Sequence, residues 1–390
     1  MKSKCLNNIS KIALETLKDS DVIVSDIKDA DSILVRSFEM NDFDLPNNIL
    51  AIARAGAGVN NIPFNEYAKR GVVVFNTPGA NANAVKELVL CALLLSSRGI
   101  IEGNLWVKEN KEEAEINKLA EKAKAKFSGH EIYGKTIAVL GLGKIGILVA
   151  NACASLGMNV LGYDPYLTVS NAMKIEKDLK YIEKLEDAIS NVDFITIHIP
   201  SNPQTKNLIN KQEFDLMKKG TVLLNFSRDS LVDEIALKEA IDNGTIKKYV
   251  TDFANQNVVK YDNTICLPHL GASTEEAEDN CALMAINELK DYLENGNITN
   301  SVNYPQVNAG NKGNDTRICI NHYNIPGMIA NFSSVLSKEL INISNLVNKS
   351  KGEFAYTIID IDNKEINQEE VMETLIALEG VLKVRILWLN

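Results

Sequence analysis

The sequence predicts an α/β protein in which one parallel-sheet domain is inserted into another and a small α+β domain follows. Through most of the chain, short apolar runs alternate with helical stretches, which is the pattern of buried parallel strands. A glycine-rich turn joins a buried strand to a helix near residue 140, far from the N-terminus. The last 75 residues change to a βαββαβ order. A chain of 390 residues is also too long for one ordinary core.

The composition is that of a globular protein, with 45% hydrophobic and 24% charged residues. The net charge of −10 argues against nucleic-acid binding, which favours basic surfaces. The N-terminus has no apolar run behind its lysines, and the longest apolar stretch, Leu88–Leu95, is too short to span a bilayer. Six cysteines without a CxxC pair are expected to be buried, reduced thiols. We therefore expect a cytoplasmic protein with no metal site.

The first layer has four predicted strands, at 22–24, 32–35, 50–53 and 72–75. A turn at Asn76–Gly79 leads to a helix over 84–97 that is apolar nearly all round and is predicted to be buried. Residues 108–126 are rich in Lys, Glu and Ala and are predicted to form one solvated helix. The second layer has predicted strands at 136–140, 159–162, 194–199, 222–225 and 249–251, and a long helix follows at 274–294.

The glycine-rich turn has the GxGxxG spacing of a dinucleotide-binding Rossmann fold, at Gly141, Gly143 and Gly146. A helix follows it, so its N-terminus can face a pyrophosphate, and Lys144 and Ile145 lie within the turn. Asp164 ends the next strand, where an acid accepts hydrogen bonds from the ribose hydroxyls and repels a 2′-phosphate. The alternative is a glycine-rich turn with an unrelated Asp. The motif therefore predicts NAD, in preference to NADP, as the cofactor.

The Rossmann unit begins near residue 135 and not at the N-terminus, which indicates insertion into a substrate domain. The predicted division of the chain is 1–95 with 268–298 for the substrate-binding domain, 96–267 for the NAD-binding domain, 299–315 for an Asn/Gly/Pro-rich linker and 316–390 for a C-terminal domain.

Two further residues have the chemistry that oxidation of a 2-hydroxy acid requires. Arg228 follows a predicted strand of the Rossmann unit, where it can pair with a carboxylate in bidentate fashion. His269 lies on a Pro/Gly-flanked turn before a helix and could exchange the hydroxyl proton. A surface salt bridge for Arg228 and a capping or buried structural role for His269 are the alternatives.

These motifs together resemble the D-isomer-specific 2-hydroxyacid dehydrogenases over nearly the whole chain up to residue 294. The matching stretches are 54–62, 140–146, 198–200, 225–233 and 268–276. The resemblance implies that Arg228 orients the substrate and that His269 is the acid/base. It also implies cofactor contacts for further residues, namely His198, Pro200, Asp252 and Gly271.

The chain departs from the family at Asn257. In this family a Glu usually stands five residues after the position of Asp252 and pairs with the catalytic His, but here that position is Asn257. A paired carboxylate raises the pKa of a His and fixes its tautomer. Without it, we expect either a lower His pKa or a substitute acid.

Within the family, Leu34–Ser37 and Asn76–Asn81 resemble the substrate loops of phosphoglycerate dehydrogenases. The resemblance implies D-3-phosphoglycerate as the substrate, with contacts from Arg36, Ser37 and Asn81 and from the backbone amides of Ala57 and Gly58. Lys86 begins the following helix and could reach a phosphate, although a solvated surface lysine is an equal alternative.

Residues 316–390 resemble an ACT domain, a small ligand-binding module. In serine-sensing dehydrogenases a His and two Asn bind L-serine between paired ACT domains, and the matching residues here are His322, Asn324 and Asn342. The resemblance implies regulation by L-serine and a homodimer or homotetramer. Asn residues placed for the backbone conformation of turns are the alternative.

Two other functions remain open from the sequence. One is a hydroxypyruvate or glyoxylate reductase of the same fold, which would leave the C-terminal domain unexplained. The other is an NAD-sensing protein without turnover, which only Asn257 favours.

Overall fold

The computed structural model describes residues 1–17, 21–176, 178–313, 315–362 and 367–388. It divides into two compact units, Met1–Asn81 with Glu275–Asn390, and Ala82–Thr274. We call them the outer unit and the inserted unit. The α/β fold class with a separate antiparallel C-terminal sheet is confirmed, whereas the three-domain boundaries stay a prediction.

The N-terminal segment of the outer unit forms a five-stranded parallel sheet of order β2-β1-β3-β4-β5. Its strands are β1 (Lys2–Cys5), β2 (Val22–Ile23), β3 (Ser32–Val35), β4 (Ala51–Arg54) and β5 (Val73–Asn76), with helices α1 (Lys11–Leu14) and α2 (Phe64–Lys69). Strand β1 was not predicted, because Lys2 and Lys4 interrupt its hydrophobic pattern.

The inserted unit is a seven-stranded parallel sheet of order β12-β11-β10-β9-β6-β7-β8 with hydrophobic cores on both faces. The strands are β6 (Thr136–Leu140), β7 (Asn159–Tyr163), β8 (Leu179–Tyr181), β9 (Phe194–Ile197), β10 (Thr221–Asn225), β11 (Ile246–Thr251) and β12 (Thr264–Cys266). The helices are α3 (Ala82–Ser97), α4 (Ile100–Glu109), α5 (Ile116–Ala123), α6 (Lys144–Ser155), α7 (Val169–Ala172), α8 (Leu185–Ile189), α9 (Lys211–Leu216) and α10 (Glu234–Asp242). All strand pairs are parallel, so the carboxyl ends of β6, β7, β10 and β11 share one edge.

Two local predictions for the inserted unit were wrong. Residues 108–126 do not form one helix, because α4 ends at Glu109, where the Asn110 amide donates to the Trp106 carbonyl, and α5 begins only at Ile116. Helix α3 is not buried all round, since Leu94 is 42% exposed and Cys91 is exposed as well. A helix packed against one sheet keeps a solvent face, even when that face is apolar.

The rest of the outer unit begins with the long helix α11 (Glu275–Asn295) and ends in a four-stranded antiparallel sheet of order β14-β15-β13-β16. Its elements are β13 (Thr316–Tyr323), α12 (Met328–Lys338), β14 (Ile343–Lys351), β15 (Phe354–Ile361), α13 (Gln368–Ile376) and β16 (Val381–Leu387). The sequence predicts this last strand over 384–389, and its final residue lies outside the described residues. One sheet face packs on α12 and α13, and the other joins the core of the N-terminal segment.

The segment predicted as a linker is fastened to the N-terminal sheet. The Asn303 side chain accepts from the Val74 amide at 3.0 Å and donates to the Val72 carbonyl at 3.0 Å. The Tyr304 hydroxyl, fully buried, donates to the Ala68 carbonyl at 2.7 Å. The segment that leads to the C-terminal sheet is therefore packed against the N-terminal sheet and is not a free linker.

A buried ion pair closes this part of the outer unit. The Arg317 guanidinium is 1% exposed and donates to both Asp360 carboxylate oxygens, at 2.6 and 3.0 Å. It also donates to the carbonyls of Asn295, Ala309 and Gly310, at 2.6, 3.2 and 2.8 Å. Strand β13 is thereby fixed to β15, to the end of α11 and to the segment that joins them.

Lys383 on β16 gives stability a pH dependence. Burial, with repulsion from Arg385 and Arg70, lowers the Lys383 pKa to about 8, and its ammonium donates to the Ile49 carbonyl at 3.1 Å. The unfolded chain therefore holds more protons than the folded chain between about pH 8 and the ordinary lysine range, so stability rises with pH there. We compare the free energy of unfolding of the parent with that of Lys383→Met in urea titrations. The difference, parent minus variant, should increase by roughly 1 kcal/mol from pH 7.5 to 9.5. A difference that stays constant with pH would contradict this.

In the described part of the chain, no helix combines the length and the hydropathy that a bilayer crossing needs.

Candidate active site

The glycine-rich turn after β6 is shaped by close backbone contacts. A Cβ on Gly146 would lie 1.8 Å from the Gly141 carbonyl oxygen, and one on Gly141 would lie 2.6 Å from the His198 carbonyl oxygen. Gly141 also has a φ of +95°, which strains any other residue. Around Gly143, by contrast, a Cβ would meet no described atom within 4 Å. The backbone at Gly143 is therefore open to a ligand.

Helix α6 begins at this open position. Its N-cap is Gly143, and no side chain of the described residues caps it. The first amides of an α-helix lack partners within the helix and attract anions. Lys144 and Ile145, the predicted cofactor residues, form its first turn. The turn and the helix together fit a pyrophosphate.

Asp164 follows β7 beside this turn. One of its carboxylate oxygens accepts from the Leu142 amide at 2.9 Å and the other from the Tyr166 amide at 2.8 Å. Each oxygen keeps a lone pair, which suits the two hydroxyls of a ribose and not a 2′-phosphate.

We expect Asp164→Asn to weaken NADH binding by about tenfold and to narrow the preference over NADPH, because a charged acceptor is lost. Fluorescence titration of both reduced cofactors measures this, with the exposed Asp187→Asn in the same unit as the matched control. Unchanged affinity for both cofactors would contradict the role of Asp164.

His198 packs against the glycine-rich turn. Its amide donates to the Leu140 carbonyl at 2.7 Å, and its Nε2 lies 2.9 Å from the Thr196 hydroxyl. Burial of the ring lowers its pKa to about 3, so the imidazole is neutral. Its Nδ1 has no hydrogen-bond partner among the described residues. Pro200, two residues on, is exposed.

Arg228 and His269 both lie beside Phe253. Asn225 ends β10, is fully buried, and its amide donates to the Arg228 carbonyl at 2.9 Å. The guanidinium carbon of Arg228 lies 5.9 Å from the centre of the Phe253 ring. The His269 ring, on the exposed turn after β12, is 4.9 Å from the same ring, centre to centre. Neither the surface ion pair considered for Arg228 nor the capping role considered for His269 is found within the described residues.

Asp252 holds the His269 turn in place. Its carboxylate is 2% exposed and accepts from the Gly271 amide at 2.8 Å. Burial raises the Asp252 pKa, while that amide and His269 oppose the rise. Its other oxygen, Oδ1, has no partner among the described residues. An unpaired buried acceptor at this place fits the carboxamide of a nicotinamide.

Among the described residues, no hydrogen bond joins Asn257 to His269, the histidine predicted to be the acid/base. Its side-chain amide donates to one oxygen of Glu234 at 2.9 Å, and that of Asn255 donates to the other at 2.7 Å. Within the described chain, the His269 ring makes no hydrogen bond, so no substitute acid is bonded to it. The predicted consequences for the pH profile stay a prediction.

The predicted substrate residues other than Lys86 lie in the outer unit. The Arg36 guanidinium pairs with Glu278 on α11 at 2.7 Å, and the Arg36 amide donates to Asn7 at 2.9 Å. Asn7 also donates to the Ser37 hydroxyl at 3.3 Å. The Asn81 Oδ1 is buried without a partner among the described residues. The Ala57 carbonyl accepts from the Asn76 amide at 2.5 Å, and Gly58 follows it.

Lys86 belongs to the inserted unit, on α3, where its ammonium donates to Asn83 at 2.5 Å. Two residues that contact the predicted site residues, Phe253 and Glu278, were not predicted from the sequence. Neither had a motif to mark it, because each takes its place through a contact distant along the chain.

The residues predicted to bind serine are separated within one chain. His322 is 2% exposed, with Nδ1 2.8 Å from the Tyr323 carbonyl and Nε2 2.8 Å from the Thr357 hydroxyl. Burial lowers its pKa. The exposed Asn324 and Asn342 donate to the Gly352 carbonyl and to Asp362, at 3.2 and 2.8 Å.

The strand register puts these two Asn at opposite ends of the C-terminal sheet. Tyr323 pairs with Phe354 at the start of β15, whereas Ile343 pairs with Ile361 at its end. Seven residue steps along a strand are roughly 23 Å. Asn324 and Asn342 of one chain therefore cannot contact one amino acid.

Known proteins are similar to this chain in sequence. The family profile described as D-isomer specific 2-hydroxyacid dehydrogenase, NAD binding domain, matches residues 90–271. D-3-phosphoglycerate dehydrogenase of Escherichia coli (strain K12) is 30% identical over 390 residues, covering 95% of this chain and 90% of the relative. The protein of that name from Methanocaldococcus jannaschii is 32% identical over 315 residues, 78% of this chain and 57% of its own.

Solved structures of other dehydrogenases share the fold. The NAD⁺-bound 3-phosphoglycerate dehydrogenase of Entamoeba histolytica has a TM-score of 0.60 at 24% identity, over 78% of this chain and 98% of its own. D-2-hydroxyisocaproate dehydrogenase has a TM-score of 0.63 at 21% identity, over 78% of this chain and 100% of its own.

Proposed function

The chain belongs to the D-isomer-specific 2-hydroxyacid dehydrogenase family, and on that premise we propose that it oxidises D-3-phosphoglycerate to 3-phosphohydroxypyruvate, the first step of L-serine biosynthesis. It is an NAD-dependent oxidoreductase. The observation that carries the proposal is that Arg228 and His269 both lie beside the Phe253 ring. Asp252, the residue before Phe253, has a buried carboxylate oxygen without a partner among the described residues. We further propose a cytoplasmic location, which the free cysteines favour.

Different residues of the inserted unit have different roles in the proposed reaction. The Arg228 guanidinium binds the substrate carboxylate, a pairing for which its planar donors are suited. The exposed His269 accepts the hydroxyl proton as the alcohol becomes a ketone. The free Asp252 oxygen and the Gly143 turn would hold the carboxamide and the pyrophosphate of NAD, whose nicotinamide would supply the hydride acceptor.

The phosphate of the proposed substrate needs cationic donors. Arg36 is the candidate, because its guanidinium is 37% exposed and its carboxylate partner, Glu278, is 44% exposed. An exposed ion pair contributes little to stability, so a phosphate can replace Glu278 at low cost. Ser37, Asn81 and the amides of Ala57 and Gly58 are proposed as further contacts, and Lys86 as a second cation.

The test of the activity is the initial rate of NADH formation from D-3-phosphoglycerate and NAD⁺. We expect a rate that saturates with substrate, and we expect Arg36→Met to raise the KM for D-3-phosphoglycerate more than it lowers kcat. Lys349→Met, at an exposed lysine on β14, is the control. Oxidation of other D-2-hydroxy acids in place of this one would assign a reductase of the glyoxylate or hydroxypyruvate type. Cofactor binding without turnover on any of them would favour the NAD-sensing function.

We also propose that L-serine binds between the C-terminal domains of two chains and inhibits the enzyme. Support comes from the wide separation of Asn324 and Asn342 along one sheet. Two chains related by a two-fold axis could bring Asn324 of one beside Asn342 of the other. The protein would then be a homodimer or a homotetramer.

Serine regulation is tested separately from the activity. We expect the rate to fall as L-serine is titrated in and the Asn342→Ala variant to lose that response while keeping its rate without serine. Light scattering gives the oligomeric state. A monomer, or a rate that does not respond to serine, would remove the regulatory proposal and leave the dehydrogenase.

A further inference from the structure

Phe253 is the residue that contacts both Arg228 and His269. Its ring centre is 5.9 Å from the Arg228 guanidinium carbon, within the range of a cation–π interaction, and 4.9 Å from the centre of the His269 ring. The two rings are tilted by 53°, a geometry that aromatic pairs favour over a face-to-face stack. One neutral side chain therefore limits the position of both groups.

The backbone of Phe253 is tied to the backbone of Arg228 through two buried side chains. The Phe253 amide donates to the Thr251 hydroxyl at 3.1 Å, and that hydroxyl donates to the Asn225 carbonyl at 2.9 Å. The Asn225 amide in turn donates to the Arg228 carbonyl. Because Asn225 and Thr251 are both almost fully buried, this connection is protected from water.

The loop that follows Phe253 is fixed at its far end by Glu234, the first residue of α10. We call Glu234, Asn255 and Asn257 the Glu234 clamp, since each carboxylate oxygen accepts from one of the two side-chain amides. The Asn255 Oδ1 also accepts from the amides of Asn257 and Val258, at 3.0 and 2.9 Å. Phe253 thus lies between two fixed points, with little freedom to leave its neighbours.

The His269 ring has no other constraint of this strength in the described residues. It makes no hydrogen bond there, and the Asp252 carboxylate holds the turn through the Gly271 amide and not through the ring. An exposed ring on a surface turn would otherwise rotate among its rotamers. Proton transfer, however, requires the ring nitrogen within hydrogen-bond reach of the substrate hydroxyl.

We propose that Phe253 is a positioning residue of the dehydrogenase, which orients the His269 imidazole and the Arg228 guanidinium through its ring and is held by the Glu234 clamp. The inference rests on the proposed function only in assigning Arg228 and His269 to the reaction. Phe253 carries no proton and takes part in no bond change. Its effect is on the geometry in which the substrate meets the two groups.

The kinetic test compares Phe253→Ala, Phe253→Leu and Phe253→Tyr. A misplaced catalytic group costs on the order of 100-fold in rate, so we expect kcat to fall about that far in Phe253→Ala while the NADH dissociation constant stays within twofold. Phe253→Leu keeps a branched apolar side chain without the aromatic ring and should remain impaired, whereas Phe253→Tyr should recover most of the rate. Phe127→Leu is the matched control, because it removes an aromatic contact with Trp106 at 6.1 Å in the same unit.

A spectroscopic test does not depend on the substrate. The chain has only four histidines, so the Cε1 proton of His269 can be assigned in NMR spectra by its loss in His269→Gln. The Phe253 ring current should move that resonance, and Phe253→Leu should shift it while leaving those of the other histidines in place. This measurement distinguishes failure of the positioning role from failure of the proposed substrate.

Three results would overturn the proposal. One is a kcat of Phe253→Leu within twofold of the parent on whichever 2-hydroxy acid the enzyme oxidises. Another is an unchanged His269 resonance in Phe253→Leu. The third is an equal loss of kcat, NADH binding and melting temperature in Phe253→Ala and Phe253→Tyr, which would make the ring a structural residue alone. If the protein oxidises no 2-hydroxy acid, the resonance decides.

Discussion

Replacement of His269 by Gln should lower kcat by about 10²- to 10⁴-fold, the usual contribution of a positioned acid/base. Gln keeps a polar side chain of similar reach but accepts no proton at neutral pH. The ring is exposed and contacts Phe253, so its loss removes little buried surface. NADH binding and the melting temperature should therefore change little, and the loss should appear in the rate. Steady-state kinetics of NADH formation between about pH 5 and 9, on both sides of the ordinary histidine pKa of about 6.5, measures this.

His130 offers the matched control for this substitution. It belongs to the same unit and is also partly exposed, and its ring contacts Phe194 at the opposite end of β9 from the turn that follows Ile197. Burial lowers the pKa of His130 from the ordinary histidine value. His130→Gln should keep the parent rate. A His269→Gln enzyme with the parent's kcat and pH profile would show that the proton leaves by another route and would withdraw the acid/base role.

The parts of this site that the sequence predicts well are those fixed by local geometry. Gly141 and Gly146 are five residues apart, and the requirement for both follows from one turn between a strand and a helix. Asp164 is likewise placed by its position at the end of β7, directly beside β6. Periodicity also located most strands, since buried parallel strands consist of apolar residues.

The residues that escaped prediction depend on contacts between distant segments. Phe253 and His269 are 16 positions apart on separate loops, and only the shared edge of β11 and β12 brings them together. Glu234 and Asn257 are paired by the packing of α10 beside the loop after β11. No pattern of composition or spacing encodes such a pair, because each contact joins residues from separate segments of the chain.

Composition also misrepresents the segment between α11 and β13. Its Asn and Gly residues are those of a flexible linker, yet its Asn303 side chain satisfies buried backbone groups beside the first sheet, and its Asn297 side chain accepts from the Ala309 amide. Similarly, His322 matched a ligand-binding pattern, but the structure buries it with both ring nitrogens within hydrogen-bond distance of protein groups. Binding of serine at this residue would need one of those contacts to be exchanged for the ligand.

The Arg317–Asp360 pair should have the largest effect on stability of any single contact described above. Removing one partner from a buried ion pair costs about 3–5 kcal/mol, because it leaves the other charge without compensation. Arg317→Met would strand the Asp360 carboxylate, which among the described residues then keeps the Asn345 amide at 3.0 Å. The carbonyls of Asn295, Ala309 and Gly310 would each lose a donor, although the Gly310 carbonyl keeps the Asn297 amide at 3.2 Å. We therefore expect the outer unit to lose about 3–5 kcal/mol of unfolding free energy.

The two tryptophans allow this loss to be assigned to one unit. Trp106 belongs to the inserted unit and Trp388 to the outer unit, so a Trp106→Phe background leaves Trp388 to report on the latter in urea titrations. Lys349→Met, an exposed residue on β14, is the control for loss of a cation. The double variant Arg317→Met with Asp360→Leu should recover part of the loss, since no unpaired charge remains. If Arg317→Met and Lys349→Met unfold at the same urea concentration, the pair does not fasten β13 to the segment before it. Serine bound at the C-terminal sheet would then need some other route to the N-terminal sheet, because Arg317 joins β13 directly to the end of α11 and to the segment that carries Asn303 and Tyr304.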